Sequence, residues 1–370
     1  MTLVTKPRTN EAAVHRRPLA RPEPARPSPS APRGETGTVI PLAPQPVRPV
    51  WPAPDPAHRD EWLRLRQAIE DAPRYHTPWG SRRRRRFRPL DVACRGLRAS
   101  LTGCGLLPLV TRSALDVRLR EFEIAFDHLP PAFDGYTILH ITDPHFDALP
   151  GLGGAIQRRC AGLEVDLCVF TGDYRGKEIG GFTEHANFEA MAGIVASITA
   201  RDGTLAVLGN HDTHDMLEPL ETVVGARVLT NEAVDLVRGT QRLAVLGLDD
   251  VHRFYSDATR RFLEDVSPCA ADEFRIMLVH SPELAQDGAR LGCSLYLCGH
   301  THGGQICLPG GRPILKHLHR EYRLASGLWR RGHLVGYTSV GAGVSESLPI
   351  RLFSQSEVTL FRLRARVSIA

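Results

Sequence analysis

The run YTILHIT at residues 136–142 closes on Asp143-Pro144-His145, and LCVFTG at 167–172 closes on Asp173. LAVLG at 205–209 closes on Asn210-His211-Asp212, RIMLV at 275–279 on His280, and LYLCG at 295–299 on His300-Thr301-His302. Each is a short, continuous apolar run, the pattern of a strand covered on both faces. RLAVLGL at 242–248 and VTLFRL at 358–363 have the same texture, and stretches such as 184–200 between such runs read as helices. Strands alternating with helices predict a layered α/β architecture. No internal repeat is visible. No apolar run approaches the ~18 residues of a membrane-spanning helix.

Five of these strand ends carry Asp, Asn or His. Ligands bind at the carboxyl ends of strands in open α/β sheets, so five such endings together are hard to read as mere turns. Imidazole and carboxylate donors without thiolate suit Mn, Fe, Zn or Co. Residues i and i+2 of an extended segment face the same way, so Asp143 and His145 converge, as do His300 and His302. A carboxylate has two oxygens and can bridge two ions, and Asp173 is the natural candidate. Two ions about 3.5–4 Å apart would clamp an attacking hydroxide and a phosphoryl oxygen.

The ordered set DPH (143–145), GD (172–173), GNHD (209–212), His280 and GHTHGGQ (299–305) resembles the calcineurin-like metallophosphoesterase superfamily. GNHD is fairly specific and GHTHGGQ is strong; DxH or GD alone would be weak. The resemblance runs from about 136 to 363. It implies two packed mixed β-sheets flanked by helices. It implies one metal ion held by Asp143, His145, Asp173 and His302, and a second held by Asp173, Asn210, His280 and His300. His211 matches the family's non-ligand histidine, which acts on the leaving group or stabilises the transition state; its titration range suits a general acid. The two ions are expected to be divalent transition metals such as Mn, Fe or Zn. The residue after Asp143 is usually aliphatic in this family. Here it is Pro144, which fixes φ and removes an N–H donor but leaves both ligands in place.

HSPE (280–283), GHTHGGQICLP (299–309) and YTSVGAGVSESLPIRLF (337–353) further resemble a bacterial group that includes cell-wall-associated phosphoesterases and UDP-diacylglucosamine diphosphatases. The resemblance thus implies hydrolysis of a phosphomonoester, phosphodiester or pyrophosphate by metal-bound hydroxide, on a small-molecule or lipid-linked substrate.

Upstream, the chain changes character. Residues 1–120 hold 23 Lys+Arg against 10 Asp+Glu, while the remainder is mildly acidic. Residues 1–58 contain 14 of the 28 prolines, and such a segment buries too little apolar surface to offset the entropy of ordering it. The expected organisation is a disordered Pro/Arg-rich extension over 1–88, a basic connecting segment over 89–120 and the catalytic domain over 121–370. Within the extension, Trp62, Leu65 and Ile69 have the spacing of a short amphipathic helix. Residues 101–110 are expected to dock on the body. The run Arg82–Arg86 reads as a solvated linker, with peripheral contact to an anionic membrane as its functional alternative. The expected location is cytoplasmic, including the inner face of the membrane. Because the ligand set begins at Asp143, removing 1–88 is expected to leave hydrolysis intact.

Other classes fare worse. No G-x-S-x-G motif supports a serine hydrolase, and the eight cysteines form no CxxC pair. A nucleic-acid-binding protein would rest on the basic front end alone, so nucleic acid is not an expected partner. A catalytically idle metal-binding scaffold is the remaining alternative. His214 and the pair Asp249-Asp250 read as turn residues, and Gln305 as an ordinary polar residue. Asp212 either orients His211 or caps a helix. Gly303 and Gly304 permit a tight turn, and glycines 151, 153 and 154 a flexible loop.

Overall fold

The structure is a computed structural model. It describes residues 51, 53–83, 89–176, 185–267, 273–309, 312–313, 318, 321–345 and 349–366. In chain order the main strands are Arg118–Phe126 (β1), Thr137–Ile141 (β2), Leu167–Thr171 (β3), Thr204–Val207 (β4), Arg227–Val228 (β5), Glu232–Arg238 (β6) and Gln241–Gly247 (β7). Phe274–Leu278 (β8), Leu295–Cys298 (β9), Gly327–Arg331 (β10), Leu334–Thr338 (β11) and Glu357–Ala365 (β12) follow. They form two six-stranded sheets, ordered β1-β12-β2-β3-β4-β5 and β6-β7-β8-β9-β11-β10.

Both sheets have parallel centres. Strands β2 to β5 run parallel in the first, and β12 enters antiparallel to β2. Strands β7, β8, β9 and β11 run parallel in the second, with antiparallel β6 and β10 at its edges. Alternation assigns each residue a face. Ile138, Leu167, Val169 and Leu205 meet Val245, Ile276, Leu278 and Leu297 in the core between the sheets. Their neighbours Leu139, Cys168 and Phe170 face helices Leu152–Cys160, His185–Ala196 and Leu217–Thr222 on the other side. The second sheet's outer residues Leu246, Met277 and Tyr296 pack with Leu263 of helix Asp257–Asp265 and Ala285 of helix Ala285–Arg290. Every central strand is covered twice, which is why the runs read as continuous apolar stretches. The architecture is α/β, with two packed mixed sheets flanked by helices.

The upstream organisation needs correction. Residues 53–83 are not part of a disordered extension. Pro56–Asp71 form helix α1, whose N-cap Asp55 accepts a hydrogen bond from the Ala57 N–H at 3.0 Å with Pro56 in the first turn. Arg74–Thr77 pairs with Gly80–Arg83 as a hairpin. Composition averaged over 1–58 concealed this, because the helix starts inside the Pro-rich window and is anchored by Trp62 and Arg66, both nearly fully buried. The expectation for residues 1–50, and for Arg84 to Arg86 of the arginine run, lies outside the described residues. The connecting segment is also structured, as helices Pro89–Gly103 (α2) and Leu107–Leu115 (α3). The domain boundary expected at 121 falls inside β1, which pairs with β12 along its whole length. Within 101–110, docking is partial: Leu106 and Leu109 are exposed. Glycines 153 and 154 lie in the helix Leu152–Cys160, not in a loop.

Candidate metal centre

The parallel strands β2, β3 and β4 of one sheet, and β8 and β9 of the other, all point their carboxyl ends to one edge of the sandwich. Asp143, His145, Asp173, Asn210, His211, His280, His300 and His302 lie on the loops that leave those ends. The structure brings the side chains of the first group, Asp143, His145 and His302, within 4.8 Å of one another by their donor atoms, and likewise Asp173, His280 and His300. His145 Nε2 lies 3.1 Å from His302 Nε2, and His280 Nε2 lies 3.2 Å from His300 Nδ1.

Asp173 is placed between the two groups. Its Oδ2 is 3.1 Å from His280 Nε2 and 3.8 Å from His145 Nε2. Asn210 Oδ1 is buried and accepts no hydrogen bond, an arrangement that ordinarily costs about 1–3 kcal/mol. A divalent cation would satisfy this amide oxygen, which lies on the loop that also carries His211, and oxygen donors together with imidazoles are a set that fits one.

Backbone strain is concentrated here. Asp143, His145, Asp173, His300 and His302 all have positive φ, between 41° and 73°. Non-glycine residues seldom hold this region unless the surroundings enforce it. Part of the enforcement is steric. A Cβ added at Gly209 would lie 2.2 Å from Asp173 Oδ1, and one added at Gly299 would lie 2.0 Å from Asp143 Oδ2. The glycines that open GNHD and GHTH therefore make room for the two carboxylates.

Hydrogen bonds orient the rings. His145 Nδ1 faces Arg175 O at 2.7 Å, His280 Nδ1 faces Thr171 O at 2.7 Å and His211 Nδ1 faces Gly176 O at 2.9 Å. A carbonyl only accepts, so each Nδ1 carries a proton and each Nε2 is turned to the cleft, where it can present a lone pair to an ion or carry a second proton. His211 lies at the rim, its Nε2 4.0 Å from Asp173 Oδ2 and its side chain 24% exposed.

The charge balance is unusual for a buried site. Burial pushes the Asp143 carboxyl up, and the neighbouring Asp173 carboxylate adds to the rise. Burial alone would also raise Asp173, but the imidazoles of His280, His211 and His145 together hold it well below the usual carboxylate range. Burial works against a charged His280, yet Asp173, Asp143 and Asp250 push it up to about 10. The site thus gathers buried negative charge that favours a cation at its centre.

Residues set aside in the sequence have defined places. Asp212 neither orients His211 nor caps a helix: its carboxylate accepts the N–H groups of Asp173, Tyr174 and Gly209 at 2.7–2.9 Å. Gln305 is buried, with Oε1 accepting from Ser345 N–H at 2.8 Å. Asp249 is more than a turn residue, since it receives Trp62 Nε1 at 2.9 Å and a guanidinium N–H of Arg66. His252 was missed. Its Nε2 lies 3.3 Å from His300 Nε2, and its Nδ1 lies 2.8 Å from Glu283 Oε2. It follows β7, and the pattern of polar residues at strand ends was the signal that could have found it. Arg351 was missed as well. Buried beneath the site, it donates to the carbonyls of Gly343, Val340, Gly341 and His302.

The calcineurin-like phosphoesterase family matches residues 136–304, the span that holds all five of these loops. The chain carries a calcineurin-like phosphoesterase domain. It is 28% identical over 258 residues to the metallophosphoesterase YkuE of Bacillus subtilis, covering 67% of this chain and 86% of that one. It is 27% identical over 241 residues to the phosphodiesterase YaeI of Escherichia coli, covering 62% and 82%. A metallophosphoesterase of Aquifex aeolicus is 28% identical over 261 residues, covering 68% and 93%. The protein is accordingly a metal-dependent phosphoric ester hydrolase.

Proposed function

We propose that this phosphoesterase works with two divalent transition-metal ions and hydrolyses a small-molecule phosphoester. Asp143, His145, Asp173 and His302 would hold one ion, and Asp173, Asn210, His280 and His300 the other. The observation that carries this is the place of Asp173, whose carboxylate reaches toward both histidine groups while its Oδ1 accepts the His211 N–H at 2.9 Å. When bound, such ions activate water and stabilise charge on phosphoryl oxygens.

The chain's own residues would do the rest. The bonds from His145 and His280 Nδ1 to main-chain carbonyls fix both rings before any ligand arrives, so little reorganisation is needed on binding. His211 would direct its Nε2 to the leaving oxygen from the rim, where a substrate can reach it. The diester class named for YaeI is the first to try.

The test is metal analysis of protein saturated with Mn²⁺, with hydrolysis of bis-nitrophenyl and nitrophenyl phosphate measured in parallel. Near two ions per chain, and loss of turnover in Asp173→Ala, are expected. Full turnover with a single ion, or an active Asp173→Ala, would overturn the bridged arrangement.

A second reading adds peripheral contact with an anionic membrane and a lipid-linked substrate. It is favoured by helices α2 and α3, which expose Val92, Leu97 and Leu109 with Leu106 between them, beside exposed Arg95 and Arg112. Apolar groups flanked by arginines are suited to a lipid interface. Arg82 and Arg83 lie in the hairpin strand, and the rest of their run lies outside the described residues. Among the described residues no helix is long and apolar enough to cross a membrane. Sedimentation with phosphatidylglycerol vesicles, weakened by salt and by Leu109→Glu, would support this reading; no sedimentation would dismiss it.

A further inference from the structure

The loop Gly209–Asp212 carries the Asn210–His211 pair, and arginines take its four consecutive carbonyls. Arg66 Nη2 donates to Gly209 O at 3.0 Å and to Asp212 O at 2.8 Å. Arg253 Nη1 donates to Asn210 O at 3.3 Å, and Arg175 Nε to His211 O at 2.7 Å. With the carbonyls drawn outward, the N–H groups of Gly209 and His211 turn inward to Asp212 and Asp173. The guanidinium groups thereby set the direction of the whole loop.

Two of these arginines belong to the matched phosphoesterase segment. Arg66 does not: it comes from helix α1, far upstream of residue 136. It is fully buried, with its guanidinium 3.7 Å from the centre of the Phe254 ring. Its other arm donates to Asp249, which also holds Trp62 Nε1. One turn further along the same helix, Glu70 accepts from His214 N–H and faces His214 Nδ1, both at 2.7 Å. Trp62, Arg66 and Glu70 share a helix face at i, i+4 and i+8. That face joins the loop leaving β4 of one sheet to the loop leaving β7 of the other, which delivers His252.

Building on the site assignment proposed above, we infer that Arg66 is a positioning residue for Asn210 and His211, and that helix α1 is a working part of the catalytic unit. Only a guanidinium meets the demand. It offers a planar fork of five donors, and here it serves a carboxylate and two carbonyls at once; a lysine ammonium keeps the charge but cannot span them. Displacement of a reacting group by about 1 Å costs roughly a hundredfold in rate.

The test compares Arg66→Lys, Arg66→Ala and Asp173→Ala in the full-length chain, measuring kcat and KM for bis-nitrophenyl phosphate at saturating Mn²⁺ together with the thermal midpoint. Arg66→Lys is expected to stay folded, to keep KM near the parent value and to lose roughly 10–100-fold in kcat. Dilute guanidinium, far below denaturing concentrations, should restore part of the kcat lost by Arg66→Ala, which a loss of stability alone would not allow. Parent-like kcat in Arg66→Lys would overturn the inference, as would an Arg66→Ala deficit that only tracks the folded fraction and ignores guanidinium. If Arg66→Ala does not fold, Arg66→Lys decides alone. A parent-like Arg66→Lys beside an inactive Asp173→Ala removes the positioning role and leaves the site assignment standing. An active Asp173→Ala removes the site assignment itself.

Discussion

His252 and His300 face each other through their Nε2 atoms at 3.3 Å, with ring centres 4.0 Å apart. One of the two nitrogens must carry the proton. The negative Glu283 carboxylate, with Oε2 2.8 Å from His252 Nδ1, favours by its charge a proton on that side of the ring, and Nε2 is then the acceptor. His300 then donates from Nε2, which leaves its Nδ1 lone pair directed at His280 and the proposed ion. The chain Glu283–His252–His300 is a carboxylate–imidazole support of the kind that orients metal ligands.

His252→Ala should therefore weaken metal uptake without touching a proposed ligand. Support of this type is worth roughly 10–100-fold in affinity. A Mn²⁺ titration followed by calorimetry should show one of two binding phases shifted by that amount, with Glu283→Gln shifted in the same direction. Unchanged binding in both variants would show that the ring is merely packed there.

The steric fit of the glycines gives a second prediction. Gly299→Ala would drive a methyl into the Asp143 carboxylate, the contact being 2.0 Å. Overpacking of a tight site costs about 1–3 kcal/mol, and here the strain falls on a proposed ligand. Metal content and turnover should both fall. Gly239→Ala is the control for added bulk, since its Cβ would meet nothing within 4 Å, although its positive φ still adds strain. Its turnover should match the parent enzyme.

The strand ends were legible because chemistry and burial coincide there. A run such as LCVFT must be covered on both faces, and the Asp that follows it emerges at the edge where the structure gathers the histidines. Strand β6 escaped notice because one of its faces is exposed: Ala233, Asp235 and Val237 alternate with buried Val234 and Leu236, so no continuous apolar run forms. The partnership of Arg66 with Gly209 and Asp212 was invisible for another reason. It spans more than 140 residues, and nothing in the local pattern of a helix names the loop that its guanidinium will meet. His252 lay within reach of the strand-end rule, but the run before it closes first on Asp249-Asp250, which look like turn formers.

The helix α1 contacts revise the expectation for the upstream segment. Removal of residues 1–50 should leave hydrolysis of a soluble diester unchanged, because that cut spares Asp55 and the helix it caps. Removal of 1–88 should abolish most of it, because Trp62, Arg66 and Glu70 go together. Turnover of the two truncated chains, compared at equal folded protein by circular dichroism, separates the cases. Full activity without residues 1–88 would mean that the loop 209–214 holds its shape unaided.

The last prediction separates chemistry from metal binding. His211 adjoins the proposed ligand Asn210, but its Nδ1 is committed to Gly176 O at 2.9 Å. Its remaining nitrogen looks into the cleft from a position that is 24% exposed, where a leaving oxygen can approach. Protonation of that oxygen is worth roughly 10²–10⁴-fold. His211→Ala should retain its metal yet lose turnover by that order on a substrate with an alkoxide leaving group. The loss should be smaller with nitrophenolate, which departs without help. His300→Ala, by contrast, should lose metal and both activities together. Metal content and both rates, measured for the two variants, decide between the roles. Equal losses on both substrates would leave His211 an electrostatic part and remove the proton transfer, and unchanged rates with metal present would take away its catalytic role altogether.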